Sequence, residues 1–139
     1  MDRLRELTGR DGVTLAVRSA DGRVRCYRGR GVADLYHLLV ESPEVLRDSI
    51  VADKVIGKGA AALMALGGVR KAFGEIMSES ALKLLESEGV EASYSILTDS
   101  IINRKGTGPC PVELLTAECG TAAECLSPIR KFLGSMGAV

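Results

Sequence analysis

Residues 69–96 read VRKAFGEIMSESALKLLESEGVEASYSI, and this stretch has the pattern of one strand–helix–strand unit. Residues 69–77 are rich in apolar side chains, Ser78 is a good helix N-cap, and Gly89 is suited to ending a helix. Residues 90–96 then alternate between apolar and polar side chains, as a strand with one buried face does. Such alternation of strands and helices is typical of an α/β domain.

Upstream of this unit the pattern begins with a hairpin. Residues 13–18 and 23–28 alternate in polarity on either side of Asp21-Gly22, a dipeptide that favours a type I′ turn. Residues 32–40 then have a helical period, and Ser42-Pro43 ends that helix. Residues 49–52 predict a short strand, after which Asp53 is expected to be the N-cap of a helix over residues 54–66.

Two capping signals mark the C-terminal part. Thr121 and Glu124 have the spacing of a capping box, and Ser127-Pro128 predicts the N-cap and first residue of another helix. The chain contains no linker, repeat or low-complexity segment. We therefore expect residues 1–139 to form a single three-layer α/β/α domain with a mixed sheet.

The composition argues against several classes of protein. The 139 residues are 46% hydrophobic and 26% charged, with 18 basic and 18 acidic residues, and this balance argues against a nucleic-acid or membrane-surface protein. Two Phe, three Tyr and no Trp offer little stacking surface for bases. The N-terminus opens with charges and residues 59–69 are too short to span a bilayer, so we expect a cytoplasmic protein. Self-association is left open.

The cysteines do not form a recognisable metal motif. Cys26, Cys110, Cys119 and Cys125 include no Cys-x-x-Cys pair, and His37 is the single histidine. In the cytoplasm these thiols would remain reduced. We expect neither a metal nor a cofactor.

The most specific motif is Asn-Arg-Lys-Gly-Thr-Gly-Pro-Cys-Pro-Val-Glu, over residues 103–113. Two glycines can aim backbone amides at an anion, an arginine can bind a carboxylate or phosphate, and proline at 111 is typical of a first helical residue. A helix start and nearby cations favour the thiolate form of a cysteine, which is the nucleophile. The alternative is a connecting loop with an inert cysteine. The candidate ligand-binding residues are Asn103, Arg104, Gly106, Thr107 and Gly108, and the candidate catalytic residues are Cys110 and Glu113.

A second motif covers residues 53–59. Lys54 and Lys58 fall in the first turns of the predicted helix, where cations oppose the helix dipole, so an anionic ligand would explain them. The segment is not a Walker A loop, since Ala52 stands at the first glycine position and Gly59 at the Ser/Thr position. The alternative is that both lysines are solvated and Asp53 is only a cap.

Together, the segments 53–58 and 103–113 resemble a small family of uncharacterised prokaryotic proteins, a domain of unknown function. The resemblance extends from the hairpin through Glu113 and implies a cytidine-deaminase-like fold. It does not imply deaminase chemistry, because neither predicted helix start, at residues 53–56 and 78–81, has the His or Cys ligands that zinc deaminases need.

These observations predict a protein that binds a small anionic molecule, such as a nucleotide or another phosphate-bearing metabolite. The cleft would lie between residues 53–59 and residues 103–113. One alternative is a metal-independent enzyme with Cys110 as nucleophile or Glu113 as acid/base. Another is a structural module that binds a partner through its arginine-rich hairpin.

Overall fold

A five-stranded mixed sheet forms the centre of the computed structural model, which describes residues 2–29, 32–99 and 111–135. The strand order is β2-β1-β3-β4-β5. Strand β1 is antiparallel to both β2 and β3, whereas β3, β4 and β5 are parallel. The strands are β1 Leu15–Arg18, β2 Val24–Tyr27, β3 Ile50–Ile56, β4 Lys71–Ser78 and β5 Glu91–Thr98.

Helices pack on both faces of this sheet, but unequally. They are α1 Asp2–Leu7, α2 Ala33–Glu41, α3 Pro43–Leu46, α4 Lys58–Gly67, α5 Glu79–Ser87, α6 Pro111–Thr116 and α7 Ala122–Ser135. The larger hydrophobic core joins one face of the sheet to α2, α3, α4, α5, α6 and α7. On the other face, Leu4 of α1 packs with Ala16, Ile50, Ala52 and Phe73 in a smaller core. The expected mixed α/β architecture is therefore confirmed.

The unit that indicated the fold class forms with the predicted order of elements, but the expected buried face of β5 is incomplete, since Tyr94 and Ile96 are exposed. Strands β4 and β5 pair in parallel and α5 connects them. The Ser78 hydroxyl accepts a hydrogen bond from the Ala81 amide at 3.1 Å, so Ser78 is the N-cap of α5. Gly89, with φ of 80°, follows the helix in the left-handed region that favours glycine.

The hairpin also forms, but its turn differs from the expected type I′. Arg18 pairs with Val24, so five residues connect the strands, and of the central dipeptide only Gly22 has a positive φ, of 87°. The Gly22 amide donates to the Ser19 carbonyl at 2.9 Å. The longer turn also uses side chains, since the Ser19 hydroxyl donates to Asp21 at 2.6 Å.

The predicted boundary between β3 and α4 is wrong. Asp53 is not a helix N-cap but a residue of β3, and α4 begins only at Lys58 with Gly57 as its N-cap. Asp53 pairs with Leu15 of β1 on one side and Gly74 of β4 on the other. Asp53 has paired strands on both sides, and pairing with β4 continues as far as Ile56. This pairing holds residues 53–56 extended, and local capping signals contain no information about it.

The predicted helix start at Ser127-Pro128 is also wrong. Helix α7 runs without interruption from Ala122 to Ser135, with Pro128 inside it. The capping signal before it is genuine, because the Glu124 amide donates to the Thr121 hydroxyl at 3.3 Å. Cys125, Ile129 and Leu133 are buried along one face of α7, and this burial favours a continuous helix despite the proline.

Candidate functional site

The amino end of α4 is where several predicted site residues lie. This end follows β3 directly, at the carboxyl ends of the parallel strands, where open α/β sheets commonly bind ligands. The helix begins with small residues, and a Cβ atom on Gly59 would clash with the Val112 side chain and lie 3.5 Å from Ile129. The lack of a side chain at Gly59 therefore lets α6 and α7 approach α4 closely.

Glu113 of α6 contacts this helix end. Its Oε1 accepts a hydrogen bond from the Lys58 backbone amide at 2.7 Å. The Lys58 ammonium in turn donates to the Ala117 carbonyl at 3.3 Å. Lys58 thus holds the α6 segment through both its backbone and its side chain. The contact joins the two sequence motifs that were predicted to share a site.

Asp53 lies near the carboxyl end of β3, with its side chain buried and only 8% of the residue exposed. It shares the α4 face of the sheet with Val51, two positions earlier in the strand. Burial raises the pKa of this carboxyl to about 7, against the lowering effect of hydrogen bonds from the Val55 and Lys54 amides. The negative charge of Asp34 raises it further.

Lys54 is separated from Lys58 by the sheet. As the neighbour of Asp53 in an extended strand, it projects to the opposite face, on the side of α1. Its Cε lies 3.9 Å from the position that a Cβ atom would take on Gly9, just after α1. The expected grouping of Asp53, Lys54 and Lys58 around one helix start therefore does not form, because residues 53–56 are strand.

Cys125 is a neighbour of the site that no sequence pattern indicated. It is fully buried in α7, and burial raises the pKa of its thiol to about 12, with a further rise from the hydrogen bond to Cys119. The positive charge of Lys58 acts in the opposite direction, so Cys125 lies within its electrostatic reach. The sequence signal was weak, since Cys125 reads only as an apolar position of an amphipathic helix.

The remaining predicted residues lie outside the described residues. They are Asn103, Arg104, Gly106, Thr107, Gly108 and Cys110. The described ranges contain no group of three His, Cys, Asp or Glu side chains that could hold a metal ion. They also contain no helix with both the length and the apolar character of a membrane span.

The protein is therefore of the mixed α/β class. Three of its strands are parallel, and α4 begins at the carboxyl end of one of them, β3. A family model described as TM1506, a domain of unknown function (DUF1893), matches residues 4–133. The chain therefore belongs to the DUF1893 family, and the resemblance to an uncharacterised family is confirmed.

A solved structure has a similar fold. It is a DUF1893 family protein (TM1506) from Thermotoga maritima, with a TM-score of 0.75 and 24% sequence identity. The similarity covers 86% of this chain and 80% of that one. None of the curated proteins compared with the chain matches it.

Proposed function

We propose that the protein binds a small anionic metabolite, a nucleotide or another phosphate-bearing compound, at the amino end of α4. The observation that carries this proposal is the hydrogen bond from the Lys58 amide to Glu113. Pro111, the first residue of α6, follows the 103–110 segment in the chain. The motif with the strongest anion-binding pattern is therefore joined to the helix that contacts α4.

The electrostatics of this helix end support an anionic ligand. The first intrahelical hydrogen bond runs from the Ala61 amide to the Gly57 carbonyl at 3.0 Å. By helix geometry the Gly59 and Ala60 amides have no acceptor within the helix, and the helix dipole adds partial positive charge. Lys58 contributes a full positive charge at the same end. The Glu113 carboxylate occupies the Lys58 amide and offsets the Lys58 charge, so the Gly59 and Ala60 amides are the donors left for a ligand.

The proposal includes the cytidine-deaminase-like fold without zinc chemistry. An antiparallel hairpin followed by three parallel strands with α4 and α5 as crossovers agrees with the fold that the family resemblance implies. Zinc deaminases bind their metal through His and Cys at two helix starts. Here α4 begins at Gly57-Lys58 and α5 at Ser78-Glu79, and neither pair includes such a ligand. The site would bind a nucleotide or another phosphate-bearing compound without the zinc-dependent hydrolysis that deaminases perform.

The experiment begins with native mass spectrometry of the purified full-length protein, which detects any retained small molecule. Calorimetric titration with nucleoside monophosphates and inorganic phosphate then measures affinity. We expect Lys58→Ala to weaken binding about tenfold, because a charge-assisted contact is lost. Lys83→Ala is the matched control, since Lys83 is an exposed lysine in the middle of α5. No retained molecule and no measurable binding, or affinity that is independent of Lys58, would contradict the proposal.

The enzyme alternative has its own measurement. Glu113 Oε1 is already engaged as a cap on α4, which favours a structural role for this residue over acid/base catalysis. Cys110 remains a predicted nucleophile, and its alkylation rate against pH tests it. A rate at neutral pH no faster than that of a free cysteine would exclude a thiolate nucleophile.

A further inference from the structure

A separate cavity of about 330 Å³ lies at the other end of the sheet from the α4 site. Its walls include Arg18 at the end of β1, Ile50 at the start of β3, and Arg70 just before β4. Ser19 and Gly22 of the hairpin turn form one side, and Asp48 contributes to the other. The volume is near the lower limit of ligand pockets, about 300 Å³, and suits a small metabolite.

Local hydrogen bonds fix both walls of this cavity. In the hairpin turn, Asp21 accepts from the Ser19 hydroxyl at 2.6 Å and from the Arg23 amide at 3.0 Å. On the other side, the Asp48 amide donates to the Gly68 carbonyl at 2.8 Å, and the Arg70 amide donates to the Ser49 carbonyl at 2.9 Å. The cavity is thus preformed, so a ligand would not have to order its walls.

Among the described residues, the charged side chains that line the cavity have no ion-pair partner. The ion pairs found among the described residues are Arg23–Asp21, His37–Glu41 and Lys71–Glu91, and none of them includes Arg18, Arg70 or Asp48. A guanidinium is permanently charged and presents several donors in one plane, which suits a carboxylate or a phosphate. Two unpaired arginines and one aspartate leave a net positive charge in a confined volume.

We propose that this cavity binds a small metabolite that carries an oxyanion, a phosphate or carboxylate group. Arg18 and Arg70 bind the oxyanion, and Asp48 accepts a hydrogen bond from a hydroxyl or amine of the same compound. The observation behind this assignment is that two arginines without an ion pair among the described residues line the same preformed cavity. This site is independent of the one proposed at α4, since the two lie at opposite ends of β3.

The test measures the binding of inorganic phosphate, acetate and chloride at matched ionic strength, by calorimetry and by the arginine Nε–H signals in NMR spectra. We expect phosphate or acetate to shift the Arg18 and Arg70 signals and to bind more tightly than chloride. Arg18→Gln and Arg70→Gln should each weaken oxyanion binding about tenfold, and Arg18→Lys by less, because it keeps the charge. Arg10→Gln is the control, an exposed arginine beyond the other end of β1.

A second comparison tests Asp48. Its φ of 56° is tolerated by asparagine, so Asp48→Asn keeps the backbone and removes only the charge. We expect the native protein to bind phosphoethanolamine more tightly than inorganic phosphate, because Asp48 accepts a hydrogen bond from the amine. Asp48→Asn should lose this preference and bind inorganic phosphate more tightly than the native protein does. Phosphate affinity that is unchanged in Arg18→Gln and Arg70→Gln, or no greater than that for chloride, would mean an adventitious ion only and overturn the proposal. Lys58→Ala should leave the phosphate-induced shifts of the Arg18 and Arg70 signals unchanged, and this site-specific measurement separates the cavity from the α4 site.

Discussion

The Glu113 carboxylate caps a helix to which it does not belong, since its Oε1 accepts a hydrogen bond at 2.7 Å from the Lys58 amide, 55 positions earlier. The local N-cap of α4 is Gly57, which has no side-chain acceptor. A carboxylate at this position satisfies a free amide and interacts favourably with the helix dipole. The contact therefore stabilises α4 and fixes α6 against it.

Replacing Glu113 should destabilise the protein. We expect Glu113→Ala to lower the free energy of unfolding by about 1–2 kcal/mol, the range for a lost N-cap. Glu113→Gln should cost less, since its amide oxygen can still accept. Urea denaturation measures both changes. Glu118→Ala is the control, an exposed acid just after α6. Equal stability of Glu113→Ala and the control would show that the cap contributes nothing.

Because α6 lies close to α4 at Gly59, we expect a side chain at this position to destabilise the protein. An added methyl group would clash with Val112, and this cost should exceed the gain of about 1 kcal/mol in helix propensity. We expect Gly59→Ala to lower the free energy of unfolding by about 1–3 kcal/mol. The double variant with Val112→Ala should recover part of this loss, which a double-mutant cycle measures. Gly134→Ala in α7 is the control, because nothing lies within 4 Å of its Cβ position.

The raised pKa of Asp53 predicts how the stability of the protein changes with pH. Its pKa is about 7 in the folded protein, above the usual 3.8, so the folded state binds more protons than the unfolded state between these values. The free energy of unfolding should therefore fall as pH rises from about 4 to about 7, by at most on the order of 4 kcal/mol. Asp53→Asn should reduce this slope, while the exposed control Asp99→Asn keeps it. Denaturation at pH 5 and pH 8 measures the difference, and an unchanged slope in Asp53→Asn would refute the assignment.

The fold class could be predicted because its signals are local. Ser78 and Gly89 delimit α5, and the alternation in residues 90–96 marks β5 without any knowledge of the tertiary structure. Asp53 was misassigned for the opposite reason. It has the chemistry of an N-cap, but pairing with Leu15 and Gly74 on neighbouring strands decides its conformation. Sequence patterns carry little information about such non-local pairing.

The candidate site could be predicted only in part, because its motifs are local but the contacts between them are not. Lys58 and Glu113 each stood in a motif that drew attention, but the distance between them in sequence concealed that one caps the other. Cys125 had no distinguishing signal, since its burial beside Lys58 depends on how α7 packs against α4. Lys54 had the same signal as Lys58 and projects from the opposite face of the sheet.

The thiols should differ in reactivity. Cys125 is fully buried with a pKa of about 12, whereas Cys26 and Cys119 are partly exposed. We expect iodoacetamide at pH 8 to modify Cys26 and Cys119 in the native protein, and Cys125 only when the protein unfolds. Peptide mass spectrometry measures each rate, with the urea-unfolded protein as reference. Equal native rates for Cys119 and Cys125 would be inconsistent with this packing.

Pro128 leaves one carbonyl of α7 without its helical partner. Proline has no amide hydrogen, so the Glu124 carbonyl, four positions earlier, accepts no intrahelical hydrogen bond from it. The Cys119 thiol lies 3.5 Å from that carbonyl and donates to it. A thiol is a weak donor, so this contact replaces only part of the missing hydrogen bond.

Pro128→Ala should therefore stabilise the protein. Alanine restores the hydrogen bond to Glu124 and improves helix propensity, and we expect the free energy of unfolding to rise by about 1–3 kcal/mol. Cys119 should also react faster with iodoacetamide, because the restored amide competes for its acceptor. Ser127→Ala is the control, one residue earlier on an exposed position of the same helix. If Pro128→Ala were no more stable than Ser127→Ala and left Cys119 labelling unchanged, the thiol would already compensate for the proline.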